Sequence, residues 1–197
     1  EVIDATGLVL APGFIDIHNH SESGLAREGS AANQVSQGIT TVIIGPDGGS
    51  PDSLKDYFAT LEGRVAPNVG SFIGHATLRE QVMKQDFVRK ATDAEIAEMQ
   101  KLLEKAMTDG AFGLSSGLEY DVGFSASTEE LITLAKVAAR HGGIYMTHMR
   151  DEEEGMLDAI RESVRISREA KLPLQISHIK MGNRNVWNKS VEAIAIV

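Results

Sequence analysis

The sequence predicts an α/β protein built as part of a (β/α)8 barrel of the TIM type, with six βα units of the eight. Three observations carry this. Short β-type runs alternate with longer stretches of helical period. The runs are apolar throughout rather than at every second residue, as in strands covered on both faces. They also recur about every 32 residues, so eight would need about 255, close to the roughly 250 typical of that barrel. An open doubly wound sheet more often carries a Gly-rich phosphate loop after its first strand, and here that strand ends in His-Asn-His.

The elements follow in order. EVIDATGLVLAPG reads as an extended piece already in progress, with no initiator Met or signal-like segment. Residues 1–12 are therefore expected to be the end of an N-terminal β-segment, and residues 13–197 an incomplete barrel. The six strand runs are FIDIHNH (14–20), TTVIIG (40–45), VGSFIGH (69–75), GAFGLSS (110–116), GIYMTH (143–148) and LPLQISH (172–178). Thr92 with Glu95 and Ser127 with Glu130 match the capping box, in which side chain and backbone satisfy the first free amides reciprocally. Ile96, Met99, Leu103 and Ala106 then recur at helical spacing, as do Leu131, Leu134 and Ala138 before a stop at Gly142. A third helix is predicted from about 156 to 170, with Ile160 and Val164 inward. The acidic run 151–154 is read as a solvated loop and helix start. SVEAIAIV has helical spacing and no stop signal. Open edges on the first and sixth strands call for a further C-terminal segment or a partner subunit.

Composition narrows the function. Of 197 residues, 42% are apolar and 24% charged, which suits a globular chain with a sizeable core. Lys and Arg total 19 against 28 Asp and Glu, a net charge of −9 without a basic cluster, so nucleic acid is not the expected partner. No apolar stretch approaches the roughly 20 residues of a membrane helix, so no membrane partner is expected. The lack of a leader favours the cytoplasm. There is no Cys, hence no disulfide, thiol nucleophile or thiolate ligand.

The histidines carry the chemistry. His18 and His20, two apart on a strand, leave the same face and can point together into a barrel mouth. For this short motif alone, a pair of ordinary surface or core histidines is an equal alternative. Of the six histidines, however, His18, His20, His75, His148 and His178 all fall at C-terminal ends of strand runs, and only His141 lies at a helix end. In a barrel those ends converge on one cavity, where a catalytic metal takes about three protein ligands and keeps an open position. His148 and His178 are thus ligand candidates. His75 ranks lower, since the first, fifth and sixth strands already supply enough nitrogens.

PGFIDIHNH, GHATLR, GAFGLSSGLEY, the TEEL helix start, GGIYMTHMRDE and LQISHIK, in this order, closely resemble the N-acyl-D-amino-acid deacylases (D-aminoacylases) of the metal-dependent amidohydrolase superfamily. The resemblance implies a metal-bearing (β/α)8 barrel joined to a small β-domain. It makes His18, His20, His148 and His178 metal ligands. Asp47 stands where the deacylase branch has a Cys, and would be the bridging ligand unless it only shapes its turn. Zinc is the implied cofactor, as one or two ions, and a carboxylate in place of a thiolate makes manganese or cobalt more acceptable. Tyr120, Arg150 and Lys180 are implied to bind a small-molecule substrate with a free carboxylate, although Arg150 equally suits pairing with the acidic loop after it. Ser115 and Ser116 are read as packing or hydrogen-bonding residues, and Trp187 and the Met residues as core or lid filler. The catalytic acid implied by the superfamily is an Asp on the eighth strand, beyond residue 197, so this chain alone is expected to lack it. The implied reaction is hydrolysis of the amide of an N-acyl-D-amino acid by metal-activated water. Two alternatives remain: a cyclic amidase related to dihydroorotases and hydantoinases, disfavoured by the absence of Lys from the fourth strand, or a non-catalytic barrel piece serving as a binding or assembly module.

Overall fold

A computed structural model describes residues 2–197, so the first position of the expected N-terminal segment, Glu1, lies outside the described residues. Residues 2–13 carry neither helix nor strand and leave Val2, Ile3, Leu8, Val9 and Leu10 exposed.

The alternation predicted from the sequence is present. β1 (Phe14–Asn19) is followed by α1 (Glu22–Arg27), α2 (Ala32–Val35) and β2 (Ile39–Ile44), then α3 (Leu54–Leu61), β3 (Asn68–Ser71) and β4 (Ile73–Gly74). α4 (His75–Met83) and α5 (Asp93–Thr108) lead to β5 (Gly113–Gly117), and α6 (Asp121–Phe124) and α7 (Thr128–Arg140) to β6 (Ile144–His148). α8 (Met156–Ala170), β7 (Leu174–Ile176), a 3-10 turn (Arg184–Val186) and α9 (Ser190–Ile196) complete the order. Every strand pair is parallel, and strands neighbour one another in chain order, β1-β2-β3 and β4-β5-β6-β7. A doubly wound sheet reverses its order partway; this one does not, which makes it an arc of a barrel.

The third run forms two strands rather than one. The break falls at Phe72, where the chain passes from one neighbour to the other. Phe72 N–H still donates to Ile44 O at 2.9 Å and Phe112 N–H to Ser71 O at 2.9 Å, so the arc stays continuous in hydrogen bonding. The Phe72 ring is buried inside the arc with Ile43 and Met146, while Leu114, Tyr145 and the inward faces of α5 and α7 form the larger core outside it. Two layers of apolar packing, one on each side, are what continuous hydrophobic strands require.

Local details correct the expectations at three places. Thr92 makes the complete capping box with Glu95. Ser127 accepts from Glu130 N–H, but the Glu130 side chain turns inward to Arg79 and His75 instead of back to the cap, because a buried guanidinium is the stronger claimant on a carboxylate. Trp187 is 66% exposed and is not core filler, whereas most of the Met residues are buried. Within the acidic run, Glu152 is buried rather than solvated. Among the described residues the outer edges of β1 and β7 have no strand partner, and no helix is long and apolar enough to cross a membrane.

Candidate metal centre

The strand ends bring the expected ligands together. His18 lies near the end of β1 and His20 just beyond it, with their Nε2 atoms 3.2 Å apart. Asp47 Oδ2 is 3.2 Å from each of them. His178, two residues past β7, places Nε2 3.8 Å from Asp47 Oδ1. The His148 ring, ending β6, meets the His178 ring edge-on at 4.7 Å, and His18 lies 5.0 Å from His178. Three ligand triads result, each with ligand atoms within 4.8 Å of one another: His18–His20–Asp47 and Asp47–His148–His178, which share Asp47, and Glu119–His148–Glu152, which shares His148 with the second.

The turn that presents Asp47 is tightly specified. Asp47 has φ 55°, a left-handed conformation that Asp tolerates better than most residues. Gly48 follows at φ 84°, where a Cβ would come within 2.9 Å of Gly117 N. Ser115 Oγ donates to Gly45 O and accepts from Gly48 N–H, so it pins this turn to β5. Ser116 hydrogen-bonds Tyr145 and Thr147 within the sheet.

Electrostatics favour a cation here. Burial pushes the His18 imidazole below its usual range, and its histidine neighbours push the same way, against the pull of Asp47. A neutral imidazole is the ligating form. Asp47 Oδ1 is buried and has no hydrogen-bond partner. An orphaned carboxylate oxygen amid facing imidazole nitrogens is a donor set that fits a divalent ion.

The other predicted residues divide. Tyr120 OH is 3.0 Å from His148 Nδ1, and burial, then Asp47, Glu152 and Glu119, raise its pKa. Lys180 joins the site, though not by regular strand alternation: β7 ends at Ile176 and His178 has φ 31°. The Lys180 ammonium instead pairs with Glu152 and lies 3.4 Å from His178 Nδ1. Arg150, expected to bind substrate, is engaged by protein groups in this structure. Its guanidinium donates to Glu162 on α8 and to the carbonyls of Phe124 and Ala126, and the acidic loop is not its partner. His75 opens α4, fully buried and 2.9 Å from Glu130, apart from the cluster.

Sequence reasoning missed Glu119 and Glu152. Glu119 Oε2 is 2.8 Å from His148 Nε2, and Glu152 touches His148, His178 and Lys180. The available signal was Glu152's place four residues after His148, hidden in a run of acids that reads as solvent-facing.

A parallel βα arc in barrel order, with imidazoles and a carboxylate gathered at the C-terminal ends of its strands, defines a barrel protein with a candidate metal centre in its mouth. The amidohydrolase family model matches residues 1–193. The chain belongs to that family. It is similar to the D-aminoacylase of Alcaligenes xylosoxydans xylosoxydans, with 39% identity across 99% of this chain and 45% of that protein. It is also similar to the N-acyl-D-aspartate deacylase of the same organism, with 38% identity across 100% of this chain and 44% of the relative. Among solved structures, the N-acyl-D-glutamate deacylase of Bordetella bronchiseptica, complexed with zinc and a phosphonate inhibitor that mimics the tetrahedral intermediate, superposes with a TM-score of 0.93 and 33% identity. That match covers 98% of this chain and 45% of that one. The chain thus spans just under half the length of these relatives.

Proposed function

We infer that the protein containing this chain is a metal-dependent hydrolase of the amide bond in N-acyl-D-amino acids. The observation that carries the reading is the convergence of His18, His20, His148 and His178 on one carboxylate, Asp47. The activities named for its relatives, D-aminoacylase and two N-acyl-D-amino-acid deacylases, support the substrate class.

His18 and His20 on one side and His148 and His178 on the other would hold one or two divalent ions, with Asp47 offering a different oxygen to each side. Zinc is the first expectation, since the Bordetella structure is a zinc complex. A site of imidazoles and a carboxylate, without thiolate, also admits manganese or cobalt. When bound, such an ion supplies Lewis acidity, making water nucleophilic near neutral pH and polarising the scissile carbonyl.

The chain's own side chains do the rest. Tyr120, whose raised pKa keeps its hydroxyl protonated, donates to the carbonyl oxygen as charge develops there. Lys180, half-exposed beside His178, offers a cation to the free carboxylate of the substrate. The exposed apolar residues of the N-terminal stretch support its assignment as the end of a separate β-segment, with the barrel from residue 13 onward.

The test is metal quantification on the full-length protein with a screen of N-acetyl-D-amino acids, their L-enantiomers, and cyclic amides such as dihydroorotate and hydantoins. Hydrolysis of the D-series with bound metal, both lost in Asp47→Ala and His148→Ala, supports the proposal. Preference for cyclic amides moves it to the cyclic amidases. A folded, metal-free and inactive protein makes it a binding module.

A further inference from the structure

Among the described residues of the site, Glu152 is a buried acid to which the proposed function assigns no role. It sits in the loop between β6 and α8, where its neighbours Glu153 and Glu154 are exposed while it is 5% exposed. The loop is held from outside: Gly182 N–H donates to Glu152 O at 2.7 Å, which ties it to the segment after β7. A Cβ on Gly182 would lie 2.9 Å from that oxygen, so the close approach depends on glycine.

The carboxylate reaches both His148 and His178. Oε1 is 3.0 Å from His178 Nδ1, and Oε2 is 3.4 Å from His148 Nε2 while it also pairs with Lys180. The opposite ring atoms face inward, His178 Nε2 towards Asp47 and His148 Nδ1 towards Tyr120. Oε1 is buried and has no donor aligned on it. The 3.0 Å approach to Nδ1 is off the hydrogen-bond axis. A protonated Nδ1 is a donor within reach of that oxygen. The Lys180 ammonium, 3.4 Å from the same nitrogen, would select the opposite tautomer, but it is farther away and already engaged by Oε2.

We propose that Glu152 is a positioning residue. It holds the His178 proton on Nδ1, which leaves the Nε2 lone pair directed at Asp47, and it steadies His148 from the same side. It thereby sets the affinity of the centre for a divalent cation without touching that cation, as carboxylates behind metal-bound imidazoles do. The proposal rests on the reading of His148 and His178 as ligands.

The experiment is a cobalt(II) titration of the metal-free full-length protein. Affinity is read by chelator competition, geometry by the visible spectrum, and apo stability by thermal melting, for wild type, Glu152→Gln, Glu152→Ala and, as reference, His178→Ala. Removing the carboxylate in Glu152→Ala should weaken binding about 100-fold, and the isosteric Glu152→Gln, whose amide oxygen still accepts from Nδ1, about 10-fold. The cobalt spectrum should change in both, and the apo melting midpoint of Glu152→Gln should stay at the wild-type value. Undiminished cobalt binding by His178→Ala sinks the metal-site reading itself. If His178→Ala loses cobalt while Glu152→Gln binds with wild-type affinity and spectrum, the positioning role is overturned. It is equally overturned if Glu152→Gln loses affinity only in step with apo stability and keeps its spectrum.

Discussion

Replacing Glu130 by Gln tests a fully buried ionic network. Glu130 Oε1 and Oε2 lie 2.7 and 2.8 Å from Arg79 Nη1, and Oε1 is also 2.9 Å from His75 Nε2. Arg79, His75 and Glu130 are all fully buried. Arg79 Nη2 donates to the carbonyls of Phe87 and Arg89, so this one group joins α4, α7 and the loop before α5, while its Nε is buried without a partner. Glu130→Gln keeps the shape and removes the counter-charge, leaving a buried cation uncompensated, which costs about 3–5 kcal/mol. For a domain of this size that lowers the melting temperature by roughly 6–20 °C. Urea denaturation of the full-length protein measures the loss. The double replacement Arg79→Met with Glu130→Leu should be less damaging than either single change, since an apolar pair needs no compensation. A loss below about 1 kcal/mol for Glu130→Gln, or strict additivity in the double variant, would refute the reasoning.

The same network gives a pH dependence. Burial pushes the Glu130 carboxyl up, but hydrogen bonds and charge from His75 and Arg79 outweigh it and hold the group below its ordinary 4.5. Its stabilisation is therefore present above pH 4.5 and is lost as pH falls through the lowered folded value. Burial pushes the His75 imidazole below 6.5, against the pull of Glu130. The unfolded chain then takes up a proton first, so stability also declines as pH falls below 6.5. Melting temperatures from pH 7 down to 4 should fall monotonically, and a rise over that range would contradict both signs. Arg150→Ala should cost about 2–3 kcal/mol from lost charged hydrogen bonds and leave KM unchanged; a tenfold higher KM with intact stability would return Arg150 to substrate binding. Asp47→Cys should favour zinc over manganese by at least about tenfold in competition experiments, thiolate being the softer donor; an unchanged preference would remove Asp47 from the ligand set. Gly48→Ala, at φ 84°, should destabilise by about 1–2 kcal/mol and weaken metal binding through the displaced Asp47 turn; an unchanged melting curve would show that the turn is not so constrained.

The chain by itself determined the repeating βα order and the histidine set. Both follow from short-range patterns: continuous apolar runs become doubly covered parallel strands, and residues at the C-terminal ends of such strands lie near the barrel mouth, though His75 turns instead to Glu130. His18, His20, His148 and His178 were legible for that reason, and Asp47 only through the family resemblance. The tertiary structure alone decided what the loops and long side chains do. Glu152 looks like its acidic neighbours until the Gly182 contact folds it under the histidines. Arg150 reaches across to α8 rather than into the cavity. Glu130 abandons its cap for a guanidinium 51 residues away in sequence. Backbone periodicity is a local property, whereas the partner of a flexible charged side chain depends on which distant groups the packing brings within hydrogen-bond reach and how far it excludes water from them.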